Sequence, residues 1–91
     1  MSVYTVLVRP LDEFNVDVEV WVSGEKKSRN KIPFFKGKLM TNHKGEVDEL
    51  IKYGVPEIMS DLGLKMTGEL SAFMDPKRGL YMTTYAEKET E

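Results

Sequence analysis

Four valines at every second position, Val16, Val18, Val20 and Val22, alternate with Asp17, Glu19, Trp21 and Ser23. A period of two sends alternate side chains to opposite faces of an extended chain, and β-branched residues favour that conformation, so the segment reads as a strand with one buried face. A buried face needs a sheet around it and a cover above it. In 91 residues there is room for one such core and no second. The rest of the chain must therefore complete that sheet or cover it.

Residues 3–8 form a second strand, apolar on both faces and so suited to a central place. Pro10 ends it, and the short connection 9–15 predicts an antiparallel hairpin. Residues 24–31 are polar and charged, the composition of a loop. Strand character returns over 32–41 with Phe34, Phe35, Leu39 and Met40, where Pro33 and Gly37 fit an edge strand or a bulge.

Val47, Leu50, Ile51, Val55, Ile58 and Leu62 then recur at intervals of three and four, which predicts a helix with Glu46, Asp48 and Glu49 at its positive end. Gly54 and Pro56 interrupt the pattern. Because the apolar register continues past them, one helix kinked at that point is expected, with Gly63 as its stop. Residues 64–74 alternate again around Gly68, 75–79 read as a turn, and 80–86 complete a hairpin. The predicted order is β-β-β-α-β-β: a single α+β domain over residues 1–86, its mainly antiparallel sheet covered on one face by a kinked helix, with a frayed acidic tail at 87–91. Met40, Met59, Met66, Met74 and Met82 read as adaptable core filler.

Several chemistries are excluded by what the chain lacks. Without cysteine there are no disulfides, thiolate metal sites or thiol nucleophiles, and an intracellular setting is expected. His43 is the single histidine, so paired-histidine ligation and catalysis are absent. A serine triad would need Ser28, Ser60 or Ser71 beside it, and no motif surrounds any of them. Asp17 and Glu19 share a strand face about 7 Å apart, a spacing open to a metal or to divided acid and base roles, but nothing else converges on them. Asp12 with Glu13, and the acidic trio at the helix start, need only solvation and the helix dipole. The expectation is a non-enzymatic protein without metal or cofactor. The apolar run 6–8 is too short for a signal-peptide core and no stretch reaches membrane-spanning length, so a cytoplasmic protein with no membrane partner is expected.

Two features point to binding. Residues 24–45 carry Lys26, Lys27, Arg29, Lys31, Lys36, Lys38 and Lys44 against Glu25 alone, a net of +6 in a chain whose total is −2. Such asymmetry projects a positive field, and Phe34 and Phe35 within it are suited to stacking on unpaired bases, so nucleic acid is the first expected partner. No nucleic-acid-binding motif accompanies the charge, and a solvated loop with protective edge lysines gives the same pattern. Trp21, Phe73, Tyr81 and Tyr85 fall at strand positions opposite the valine face, with Asp17 and Glu19 beside the tryptophan. Large rings there make the competing expectation a protein-interaction, inhibitor or homodimer surface.

Overall fold

The alternating valines lie on the second strand of an antiparallel sheet. The structure is a computed structural model that describes residues 3–22 and 34–89. Its elements are β1 (Val3–Pro10), β2 (Asn15–Val22), β3 (Phe35–Met40), α1 (Val47–Asp61), β4 (Leu64–Met66), β5 (Ser71–Asp75) and β6 (Gly79–Lys88). They make a small α+β domain, with strands in the order β3-β2-β1-β6-β4 and β5 also paired to β6. Every described pairing is antiparallel. The expected hairpins β1–β2 and β5–β6 form, β1 is central, and β3 is an edge.

The helix packs on the valine face. Val6, Val8, Val16, Val18 and Val20 are fully buried beneath Ile51, Val55 and Met59 of α1, and Tyr4, Leu64 and Ala86 complete the cluster. Burying each such side chain contributes roughly 1.5–3 kcal/mol, which makes this single layer of contacts the main support of the fold. Val22, at the strand end, is exposed. Two glycines leave room for neighbouring side chains, Gly37 for Phe35 of its own strand and Gly54 of α1 for Leu39 of β3. A Cβ on Gly37 would lie 2.6 Å from the Phe35 ring, and one on Gly54 would lie 2.9 Å from Leu39 Cδ1.

The structure bears on the sequence expectation at four points. First, one helix continues past Pro56 as expected, α1 running from 47 to 61. Pro56 is exposed, so the Lys52 carbonyl left without its i+4 donor faces water, where the loss is tolerated. Second, the strand expected over 64–74 is broken. Met66 pairs with Ala86 and Ser71 with Thr83, so four residues, 67–70, oppose two on β6. Thr67 still donates to the Tyr85 carbonyl at 2.9 Å before the chain bows away. Third, β6 continues to Lys88, two residues into the expected tail, and the Glu89 amide donates to the Gly63 carbonyl at 2.9 Å. Fourth, only Met59 of the five methionines is buried. Met66 and Met82 pack at the core margin, whereas Met40 and Met74 are 67% and 70% exposed.

Candidate interaction face

With one helix on one side, no other described element covers the opposite face of the sheet, and the domain is 20 Å through its thinnest dimension, the depth of two layers. The register fixes what the uncovered face displays. One row across the strands reads Lys36, Glu19, Leu7, Thr83, Ser71. The next reads Lys38, Asp17, Arg9 and, one step along the β1–β6 ladder past Val8 and Met82, Tyr81 beside Phe73. A third places Trp21, Thr5 and Tyr85 side by side. Five strand positions span roughly 19 Å.

All four aromatics expected on this face are there. Phe73 and Tyr81 stack across β5 and β6 with ring centroids 5.6 Å apart. Phe73 and Tyr85 are 47% and 59% exposed, while Trp21 and Tyr81 are half-buried. The Trp21 indole donates to Glu19 Oε1 at 3.0 Å, so that carboxylate orients the ring. Asp17 is half-buried between Lys38 and Arg9 in its row. Leu7 and Arg9 also belong to the face, and neither was singled out from the sequence. The signal was present, since both alternate with buried Val6 and Val8 on β1.

Arg9 breaks a local rule. Its Nε is buried and has no hydrogen-bond partner. A buried donor left without an acceptor costs about 1–3 kcal/mol, so an aliphatic side chain there would suit the isolated fold better.

The expected basic site is divided. Lys26, Lys27, Arg29 and Lys31 lie outside the described residues. Lys36 and Lys38 are exposed on β3 and share the uncovered face with the aromatics. Phe35 packs against the core instead, over Gly37. Phe34 is exposed on one side, with its ring 4.9 Å from that of Tyr4. Lys44 lies apart, 3.6 Å from Glu13 in an exposed ion pair between the β1–β2 turn and the loop before α1. Such a pair contributes less than about 1 kcal/mol.

The remaining candidates do not converge. His43 is exposed before α1, Ser60 is in the last turn of α1, and Ser71 is on β5 at the far edge of the sheet. Among the described residues no group of three or more His, Asp or Glu side chains is placed to hold a metal. Two carboxyls serve turns. Asp12 Oδ1 accepts from the amides of Phe14 at 2.7 Å and Asn15 at 2.9 Å, and Asp75 Oδ1 from those of Lys77 at 2.8 Å and Arg78 at 3.2 Å. These backbone donors hold each carboxyl below the ordinary aspartate value, helped at Asp12 by the Asn15 side chain and at Asp75 by the charges of Arg78 and Arg9.

A groove of about 410 Å³ opens where residues 67–70 bow away from β6, between the helix residues Ile51 and Pro56 and the edge residues Met66 and Leu70, with Met82 alongside. No described helix is long and apolar enough to cross a membrane. Comparison with known proteins finds no matching family model, curated protein or solved structure.

Proposed function

We propose that the chain is a binding module that receives a protein partner on the uncovered face of its sheet. The observation that carries the reading is that Trp21, Tyr81, Phe73 and Tyr85 share one sheet face with Arg9, on the side opposite the core formed by β1, β2 and the C-terminal half of β6. Folding does not require rings there, and Trp, Tyr and Arg are the residues that dominate the energetics of protein interfaces. The charges on the face favour a protein over a polyanion. Lys36 stands beside Glu19, and Asp17 stands between Lys38 and Arg9, so the signs alternate where a chain of phosphates would meet both carboxylates.

A second reading rests on charge. Residues 24–45 sum to +6, and Lys36 and Lys38 of that segment are exposed, which supports a nucleic-acid partner held through phosphate contacts. The two readings separate by experiment. Partners captured from a lysate are identified, purified and titrated against the wild-type chain and the pair Phe73→Ser, Tyr85→Ser. A protein whose affinity falls by about 30-fold or more supports the first reading, since a central aromatic contributes about 2 kcal/mol. Unchanged affinity overturns it. Oligonucleotide binding that weakens with salt at a log–log slope near −3.6, equivalent to about four phosphates, supports the second. No association at low salt removes it.

A further inference from the structure

The two edges of the sheet meet solvent differently. β3 carries Lys36 and Lys38, charges that deter a further strand from adding. β5 reads Ser-Ala-Phe-Met-Asp, with no lysine, proline or bulge within the strand. Ala72, Phe73 and Met74 are all exposed, and so is Leu80, which pairs with Met74. The hairpin thus shows apolar side chains on both faces beside a backbone edge that no described strand pairs. That is the arrangement soluble proteins ordinarily avoid unless the edge is used.

We propose that β5 is the seam of a homodimer, in which the β5 strands of two copies pair antiparallel about a two-fold axis at Phe73. A second copy fits because the polarity of the strand is symmetric about its centre. Antiparallel pairing sets Phe73 opposite itself, Ala72 opposite the second copy's Met74, and Ser71 opposite the second copy's Asp75. Apolar meets apolar, polar meets polar, and no like charges oppose. A two-fold axis generates this reversed pattern without any further requirement on the partner. The product is one sheet continuous through both domains, and the stacked Phe73–Tyr81 pair of each copy joins its counterpart in a row of four rings. The inference concerns the strand edge and does not depend on what binds the sheet face.

Five paired residues bury less than a standard interface of about 1,600 Å², so the dimer is expected to be weak, with Kd on the order of 100 µM. Sedimentation equilibrium of the full chain should show the mass rising from 10.4 kDa towards twice that value as concentration approaches about 1 mM. Met74→Lys, at a side chain that is 70% exposed, leaves the fold intact and should raise Kd by about tenfold or more. The chain has no cysteine, so a single introduced thiol reports unambiguously. Self-opposed residues on antiparallel strands have Cα atoms about 4.5–5.5 Å apart, within disulfide range, so Phe73→Cys should cross-link under a mild oxidant far faster than Met40→Cys on the lysine-bearing edge. A mass fixed at 10.4 kDa up to about 1 mM, a dimer unaffected by Met74→Lys, or equal cross-linking rates at the two edges would each overturn the proposal.

Discussion

On β2, Val16, Val18 and Val20 lie under the helix while Asp17, Glu19 and Trp21, one residue away in each case, are half-buried on the opposite side of the same sheet. The comparison separates two kinds of constraint. The covered face is specified by packing: side chains there are branched, apolar and close-fitting because any other choice costs stability. On the opposite face, no described element packs over the four aromatic rings or the arginine with its unpaired Nε. Residues that stability does not explain are where function is best sought.

Methionine tests the contrast most directly, because one residue type occupies both environments. Met59→Ala on the buried side of the helix should cost roughly 2–5 kcal/mol in urea unfolding, whereas Met40→Ala at the exposed edge should stay within about 0.5 kcal/mol. Similar costs would mean that the helix is not the cover of this sheet. Gly37 sharpens the same division within β3. Gly37→Ala drives a methyl into the Phe35 ring and should cost about 1–3 kcal/mol, and Phe35→Leu in the same chain should recover part of it.

On the bare face the expected sign reverses. Arg9→Met removes a buried donor that has no acceptor, so thermal unfolding of the isolated chain should show it unchanged or up to about 1 kcal/mol more stable. The same variant should lose affinity for a partner docked over Tyr81 and Phe73. A clear loss of stability would instead make Arg9 part of the fold's own support. The smallest effect is that of pH. Asp12 and Asp75 are held below their ordinary value of 3.8 in the folded chain. Their contribution is complete above that value and is lost as pH falls through the lower folded values. Denaturant midpoints should therefore drop below about pH 4, and Asp75→Asn, which keeps an acceptor for the turn amides, should flatten the drop.

The elements most legible in the sequence were those whose signal is local. The valine alternation, the helical spacing from Val47 to Leu62 and the Gly63 stop depend only on near neighbours in the chain. The break between β4 and β5 was hidden because its excess over β6 is two residues. Met66, Gly68 and Leu70 keep the alternation that an unbroken strand would have, and period-two counting cannot see an even insertion. The aromatic side of the candidate site followed from parity alone. That Lys36 and Lys38 share the face with those rings did not, since it depends on the pairing of β2 with β3 across a long connection. Phe34 and Phe35 show the same limit: adjacent in sequence, Phe35 packs over Gly37 against the core while Phe34 stays 46% exposed beside Tyr4.

The position of β6 governs when this sheet can exist. β6 lies between β1 and the β4–β5 edge, and its Glu87 pairs with Val3, so the earliest and latest described strands are neighbours. During synthesis the hairpin of β1 and β2 can form early, but β1 keeps an open side until residues near 88 have left the ribosome. At a few to about 20 residues per second that interval lasts several seconds, in which a strand rich in valine and leucine waits for its partner. A chain with so much of its pairing spread across its full length folds late and all at once, and in that window it is open to chaperones or to other nascent copies of itself.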